Sequence, residues 1–301
     1  MANTGVLGKV QIEGNWTQKR LILPVIQAAL ERTSLASPAT GPTMTYAKLK
    51  GTIPLLGPVP VQSQLDEFEH AVGGGGKPSG FDIEVLKDRV VLYVSDEAEI
   101  ESDVGNPMSL QQQAAAGALA ANLNKLIAER LNTTPQVYGT GGDLGNWTSV
   151  KPTLAVGKMA AAMGVHRPTA LVMGTLAGAY YVDAVGDKVA IANLTEWRGA
   201  VSIHPTLNIP VFISTDVDKL DDTSGNRYVF GVCNTTPGVV TVLSKIKARQ
   251  YDDPKLGAQV YQYDIWRSPF SNIQQTSGNL NLGVMRGIMK ESEPSLFWRH
   301  Y

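Results

Sequence analysis

Hydrophobic positions change their spacing several times along the chain, and the longest helical pattern lies between residues 110 and 131. Ser109 with Gln112 predicts a capping box at its start, and Asn106-Pro107 predicts a competing start. A helix of this length extends roughly 33 Å at ~1.5 Å per residue, long enough to support the surrounding structure. Five apolar residues recur at three- and four-residue intervals and form its apolar stripe: Leu119, Leu123, Leu126, Ile127 and Leu131.

A different pattern, extended and rich in proline, precedes this helix. Segment 46–61 is weakly apolar, segment 62–80 is polar and glycine-rich, and segment 81–94 returns with alternating apolar and acidic residues. We predict a two-stranded arm of about 20 residues each way, reaching roughly 65 Å at ~3.3 Å per residue. Three prolines remove backbone donors from its first half and argue against a central strand or a helix: Pro54, Pro58 and Pro60.

Such an arm has little to stabilise it alone, because an isolated two-stranded ribbon is marginally stable in water. One interpretation is that it lies on another copy of the same protein. The same pattern also fits a surface hairpin or an active-site lid. The residues of the arm leave these interpretations open.

The rest of the chain predicts alternating helices and strands after a turn-rich break at 133–147, where we place a domain boundary. The N-terminal part predicts a short helix at 24–31 and a linker at 33–43. Further helices are predicted at 153–163 and 175–181, and strands at 169–173, 188–194, 209–215, 227–232, 239–248, 260–266 and 280–290.

Composition points to a soluble globular protein. The 301 residues are 43% hydrophobic and 18% charged, and 26 basic against 27 acidic residues leave a formal charge of -1. No large excess of charge draws the chain to nucleic acid or to an anionic membrane. The uncharged stretch 168–182, with Gly174 and Gly178, is too short for a membrane span.

Motifs for enzyme chemistry are incomplete. Residues 139–145 lack the third glycine of a dinucleotide fingerprint, and in 73–77 the phosphate-loop pattern fails because Pro78 follows Lys77. The acidic segment 96–103 is interpreted as a solvated turn. Asp216, Asp218, Asp221 and Asp222 break the calcium-loop pattern. Cys233 and the scattered histidines, His70, His166, His204 and His300, lack partners at ligand or catalytic spacing, so we predict no catalytic, cofactor-binding or metal-binding residue.

A basic stripe runs along one predicted strand. Lys245, Lys247 and Arg249 alternate with Ser244, Ile246 and Ala248. The stripe either contacts a phosphate backbone, which makes the three basic residues candidates to face DNA, or is a solvated strand face.

Three short segments carry a resemblance to a known family. Residues 90–97 look like a strand leading to a Ser-x-Glu turn, and 207–216 resemble a "Gly-x-Pro-Val" strand in which Asn208-Ile209 replaces the glycine. Residues 228–231 resemble a tyrosine-and-glycine strand. With the order of the predicted elements, they resemble the major capsid protein of tailed phages, which has the Hong Kong 97 fold.

The resemblance implies an α+β protein of four parts. These are an N-terminal arm at 1–45, an extended hairpin called the E-loop at 46–94, a peripheral domain with the long spine helix at 95–152 and 255–301, and an axial domain at 153–254. The implied function is self-assembly into an icosahedral virion head that encloses double-stranded DNA. An encapsulin-like nanocompartment and a metal-dependent enzyme with a glycine-rich lid are the alternatives.

The implied partners follow from that function. They are further copies in pentamers and hexamers, a separate scaffolding protein, a portal, a possible decoration protein and packaged DNA, with assembly in the host cytoplasm and no membrane partner. Some relatives cross-link lysine to asparagine, for which Lys77 is the candidate. The implied inter-subunit contact residues are Ile53, Leu55, Leu56, Val59, Lys77, Phe81, Ile83 and Val85.

Overall fold

The computed structural model describes residues 35, 44–45, 50–56, 78–95, 107–134, 136–139, 143–146, 151–164, 167–185, 200–220, 225–233, 239–271 and 283–290. The helices are α1 (Pro107–Asn132), α2 (Pro152–Ala162), α3 (Thr175–Val185) and α4 (Thr215–Asp218). The strands are β1 (Met44–Thr45), β2 (Lys50–Leu56), β3 (Pro78–Glu84), β4 (Lys87–Ser95), β5 (Asp143–Asn146), β6 (Ala170–Met173), β7 (Ala200–Ile203), β8 (Pro210–Ile213), β9 (Asn226–Val232), β10 (Val239–Asp253), β11 (Ala258–Ser271) and β12 (Val284–Lys290).

The strands form two sheets and one separate ribbon. A four-stranded sheet has the order β1-β10-β11-β4, and a six-stranded sheet has the order β5-β12-β9-β6-β8-β7. The ribbon consists of β2 and β3 alone. The long antiparallel hairpin of β10 and β11 dominates the first sheet, whereas the second mixes parallel and antiparallel pairs.

Helix α1 confirms the predicted long helix and begins at Pro107, the start that Asn106-Pro107 predicted. Its apolar stripe packs against both sheets. Towards its start, Ala116 and Leu119 contact the four-stranded sheet at Ala248, Tyr263 and Ile265. Further along the helix, Leu123, Ile127 and Leu131 pack on the six-stranded sheet with Val172, Phe230 and Val232. One rigid helix therefore supports both sheets.

The six-stranded sheet is buried on both faces, which explains its nearly continuous apolar strands. In β6, Val172 faces α1, while Leu171 and Met173 belong to the core on the opposite face. That second core includes Met159 of α2 and Tyr181 of α3. The six-stranded sheet therefore lies between α1 on one face and α2 with α3 on the other.

The chain before the ribbon is attached to this body at two described places. Leu35 is fully buried in the core beside α1, and its backbone amide donates to Asn124 Oδ1 at 3.3 Å. Met44 and Thr45 pair in parallel with Val242 and Leu243 of β10. The predicted linker at 33–43 therefore includes a packed residue.

Two glycines of the uncharged stretch 168–182 have a packing role. A Cβ on Gly174 would lie 2.3 Å from Asp218 Oδ1, and a Cβ on Gly178 would lie 2.2 Å from Ile213 Cδ1. Their small size lets α3 approach α4 and β8 closely. None of the described helices has the length and hydropathy to cross a membrane.

Several predicted boundaries need correction. Segment 81–94 is not one strand: β3 ends at Glu84, and β4 begins at Lys87 in a different sheet. The estimate of a 65 Å arm included β4 and was too long for that reason. The strand predicted at 239–248 continues as β10 to Asp253, so the turn after it lies at 254–257. The predicted helix at 24–31 and strand at 188–194 lie outside the described residues.

Candidate functional site

The ribbon of β2 and β3 confirms the predicted two-stranded pairing over seven residue pairs. The register runs from Lys50 opposite Glu84 to Leu56 opposite Pro78. No other described strand joins it. Pro54 in β2 lacks an amide hydrogen, which suits a strand with an unpaired edge.

The register divides the ribbon into two unlike faces, because directly opposed residues lie on the same side of an antiparallel pair. One face holds Gly51, Ile53, Leu55, Ser79, Phe81 and Ile83. The other holds Lys50, Thr52, Pro54, Leu56, Pro78, Gly80, Asp82 and Glu84. Four of the predicted contact residues thus share one predominantly apolar face, and Leu56 lies on the opposite face.

The polar face ends in an ion pair at the base of the ribbon. Lys50 Nζ lies 2.5 Å from Glu84 Oε1, and both side chains are mostly exposed. An exposed pair of this kind contributes little to stability. The described residues at this end of the polar face are therefore exposed to solvent.

The base of the ribbon is attached to the four-stranded sheet. Val85 is buried and Leu86 is exposed, and together they separate β3 from β4. The backbone amide of Arg267 donates to the Leu86 carbonyl at 3.0 Å. Directly after this contact, Lys87 pairs with Trp266 of β11.

Arg267 extends this attachment into the body. Its Nη2 donates to the Leu119 carbonyl in α1, and its Nε lies 3.5 Å from Asp88 Oδ2 on β4. Burial lowers the pKa of Arg267, and the neighbouring Asp88 carboxylate opposes that change. One buried residue therefore connects the ribbon base, β4 and the spine helix.

A second charged cluster surrounds Asp264 on the other face of the same sheet. Arg89 donates through Nε at 2.7 Å and Nη2 at 3.3 Å, Gln262 donates at 2.8 Å, and Lys87 Nζ lies 3.0 Å away. Burial alone would raise the pKa of Asp264, but the hydrogen bonds from Arg89, Lys87 and Gln262 outweigh it and lower the pKa to about 2. Lys87 also lies over the Trp266 ring at 5.0 Å.

The predicted basic stripe lies on this same outer face. Ala248 is buried against α1, so the alternation places Lys247 and Arg249 on the side away from the helix. By register Lys245 shares their side. The regular alternation fails at Ser244, because the pairing register shifts between Leu243 and Lys245.

The acidic residues considered for metal binding have structural roles where they are described. Asp218 accepts hydrogen bonds from the Thr175 amide at 2.6 Å and the Thr175 hydroxyl at 2.5 Å, at the start of α3. Asp216 pairs with Lys219 at 2.7 Å. No cluster of His, Cys, Asp or Glu suited to a metal occurs among the described residues.

The other candidate residues from the sequence are either buried or lie outside the residues that the structure describes. Cys233 is a buried thiol. His204 is buried, and both of its ring nitrogens are hydrogen-bonded to backbone groups. The remaining candidates lie outside the described residues: Val59, Lys77, His70, His166, His300, Asp221, Asp222, the glycine-rich loop at 73–77 and the acidic segment at 96–103.

Sequence reasoning missed the charged residues at the base of the ribbon. Asp264 and Arg267 are the two charged residues of the strand 258–271, which was the available signal. A charge in such a strand requires a partner when it is buried. The partners Arg89 and Asp88 are about 175 residues away in sequence, so their pairing was not visible.

Comparisons by sequence find no matching protein-family description and no matching curated protein. Solved structures do match. The capsid of Ralstonia phage GP4 is similar with a TM-score of 0.62 and 10% identity, over 87% of this chain and 92% of that chain. The capsid of a native GTA particle gives a TM-score of 0.58 and 11% identity, over 87% and 90%. A virus-like particle from Pyrococcus furiosus gives 0.57 and 10%, over 90% and 99%.

These similarities cover 87–90% of this chain and 90–99% of each compared chain. At such low identity they establish the fold. The chain has the Hong Kong 97 fold of phage capsid proteins, as the resemblance of its sequence implied.

Proposed function

We propose that this protein is the structural subunit of a closed shell, and that the shell is the icosahedral head of a tailed phage enclosing double-stranded DNA. The observation that carries the proposal is the ribbon of β2 and β3, whose apolar positions share one face and which pairs with no other described strand. Such a ribbon gains stability by lying on a neighbouring copy. The similar structures are capsids and a virus-like particle, which supports the same conclusion.

The proposed assembly assigns a mechanical role to each part. The ribbon lies over a neighbouring subunit, while α1 keeps the two sheets of its own subunit in a fixed relation. Contacts between many copies then add up to stability that no single interface supplies. Val85 is 6% exposed and buried in its own subunit, so we propose the other residues as contacts: Ile53, Leu55, Leu56, Val59, Lys77, Phe81 and Ile83.

We propose that the four parts implied by the resemblance are an arm at 1–45, an E-loop at 46–94, a peripheral domain at 95–152 and 255–301, and an axial domain at 153–254. Strand pairing refines this division. Strand β10 pairs with β11 of the peripheral part, and β12 pairs with β9 of the axial part. This pairing supports a boundary that follows the two sheets rather than the order of the chain.

We propose further partners on the same basis. They are pentamers and hexamers of this chain, a separate scaffolding protein, a portal and possible decoration proteins, assembled in the host cytoplasm. Packaged DNA would be contacted weakly and without sequence preference by Lys245, Lys247 and Arg249. Lys77 is the proposed site for any covalent cross-link.

An encapsulin-like nanocompartment is the second candidate function. The fold is equally consistent with it, since a virus-like particle from Pyrococcus furiosus is among the similar structures. The two candidates differ in what the shell contains, which is nucleic acid in one and protein in the other.

We propose no enzymatic activity. The metal-dependent alternative relied on the loop beginning at Asp216, and there Asp218 is engaged by Thr175 and Asp216 by Lys219. Thermal unfolding with and without divalent cations tests this, since a metal site in the loop would raise the midpoint.

Negative-stain microscopy of the purified chain tests the proposed function. Closed particles are the expected result, and nuclease treatment followed by absorbance and gel analysis identifies their contents. Particles filled with DNA support the phage head, and particles filled with a co-purified protein support the nanocompartment. A chain that stays monomeric at high concentration contradicts both.

A further inference from the structure

A short exposed turn joins β7, the edge strand of the six-stranded sheet, to β8. Two backbone hydrogen bonds close it. The amide of His204 donates to the Ile209 carbonyl at 2.8 Å, and the amide of Asn208 donates to the His204 carbonyl at 2.9 Å. Residues 205–208 are all exposed, and Asn208 has a φ of 52°, which asparagine tolerates better than most residues. The turn therefore projects from the sheet into solvent.

The side chain of His204 connects this turn to helix α2. The residue is 2% exposed, so its ring lies beneath the turn. Its Nδ1 accepts hydrogen bonds from the amides of Thr206 at 3.3 Å and Leu207 at 3.1 Å, and its Nε2 lies 2.9 Å from the Thr153 carbonyl in the first turn of α2. Because a carbonyl only accepts, Nε2 carries the hydrogen and Nδ1 is the acceptor. These contacts assign one neutral tautomer to the ring.

The elements packed against the ring disfavour a positive charge on it. The titratable residues of α2, its N-cap and α3 are Lys151, Lys158, Tyr180, Tyr181 and Asp183. Four of them are exposed, and the fifth, Tyr181, is buried with its ring 6.2 Å from the imidazole. Strands β7 and β8 and the turn contain no titratable residue besides His204. Burial therefore governs the ring, and it lowers the pKa of His204.

A proton on Nδ1 changes this nitrogen from an acceptor into a donor. It then faces the amide donors of Thr206 and Leu207, and both hydrogen bonds are lost. The two amides belong to an exposed turn, so they can bond to water as soon as the turn moves away from the ring. The same movement gives water to the charged imidazole. Opening of the turn therefore relieves the conflict without breaking the strand pairing of β8 or the helix α2.

We propose that His204 is a pH-sensitive latch, which fastens the turn 205–208 to α2 while its ring is neutral and releases the turn when its ring is protonated. The release is local, and the six-stranded sheet stays folded. Because the turn is exposed and carries the apolar side chain of Leu207, any contact that another molecule makes through it becomes dependent on pH. The latch lies within one subunit, so it operates whether or not the chain forms shells.

Amide hydrogen exchange in the full chain at pH 7.5 and 5.5, corrected for the intrinsic effect of pH on exchange, tests the latch. The amides of Thr206 and Leu207 should lose protection roughly tenfold between the two pH values, because the released ring binds a proton with an ordinary imidazole pKa of about 6.5. The amides of β8 should keep the same protection at both pH values, since the opening is local.

His204→Asn is the matched variant, because its Oδ1 can accept the same two amides and does not titrate. Its turn should be equally protected at both pH values, and thermal unfolding checks that the variant is folded. Unchanged protection of Thr206 and Leu207 in the unmodified chain at pH 5.5 would overturn the proposal, as would an equal loss in a folded His204→Asn chain. A loss that extends to β8 would also overturn it, because protonation would then unfold the sheet and not the turn alone. If the variant does not fold, the unmodified chain decides.

Discussion

The backbone amide of Arg267 donates to the carbonyl of Leu86 over 3.0 Å, at the point where the ribbon leaves the four-stranded sheet. The same residue donates from its guanidinium to the Leu119 carbonyl of α1 and lies beside Asp88. The base of the ribbon is therefore coupled to the spine helix α1 through one residue, which uses its backbone amide for the first contact and its side chain for the second.

Replacing Arg267 by methionine should destabilise the subunit by about 3 kcal/mol, because Asp88 loses its cation in a largely buried position. The free energy of unfolding from urea titration measures this. Changing Asp88 to asparagine in the same chain should recover part of the loss. A double-mutant cycle with no coupling between the two positions would contradict the role given to Arg267.

Asp264 should make the subunit sensitive to acid. Its folded pKa is lowered from 3.8 to about 2, so the unfolded state takes up a proton first as the pH falls. The stabilisation is complete above about pH 4 and is lost as the pH falls through 2, a change of about 2 kcal/mol. In Asp264→Asn, the free energy of unfolding should be lower at pH 7, and its difference from the unmodified chain should shrink between pH 4 and 2. A constant difference would count against the cluster.

His204 should act in a higher pH range. Its Nε2 donates to the Thr153 carbonyl at 2.9 Å, and its Nδ1 accepts from the amides of Thr206 and Leu207, so the neutral ring fits the fold. Burial lowers its pKa, and the ring of Tyr181 lies 6.2 Å from its ring. The unfolded state therefore binds a proton below about pH 6.5 while the folded state resists it.

The free energy of unfolding should consequently be steady above pH 6.5 and fall as the pH is lowered from there. Urea titrations at pH 7.5 and 5.5 measure the difference. His204→Gln should reduce that difference, because glutamine does not titrate. The same pH dependence in both chains would show that another group is responsible.

Gly174 should not tolerate even a methyl group. A Cβ there would lie 2.3 Å from Asp218 Oδ1, which holds the first turn of α3 through Thr175. Gly174→Ala is therefore expected to lower the free energy of unfolding by roughly 1–3 kcal/mol. Gly157→Ala is the matched control: its Cβ would meet only His204 Nε2 at 3.9 Å, so the helical propensity of alanine should make it neutral or stabilising. Equal effects of the two changes would contradict this account.

The sequence predicted correctly those elements whose formation depends on residues close together in the chain. The helix at 107–132 followed from periodic leucines and alanine-rich sequence, and the ribbon's pairing followed from its prolines and alternation. Helix α3 is longer than predicted because Val185 packs in the core, a tertiary contact that its sequence does not encode.

The candidate site was predictable only in part. Ile53 and Phe81 were expected to be contact residues from their apolar character, but only the register shows that they are opposite each other on one face. The break at Val85 and Leu86 carries no glycine or proline and results from pairing with β11. The clusters of Asp264 and Arg267 join strands far apart in sequence, so long-range topology was required to find them.

The most direct measurement of the central claim is amide hydrogen exchange in assembled particles and in the subunits obtained by dissociating them. Amides of β2 and β3 should exchange at least roughly tenfold more slowly in particles, because the ribbon is stabilised by a neighbouring copy, while amides of β6 and β9 should be equally protected in both. Equal, strong protection of the ribbon in the free subunit would show that it is stable on its own body and would contradict the account.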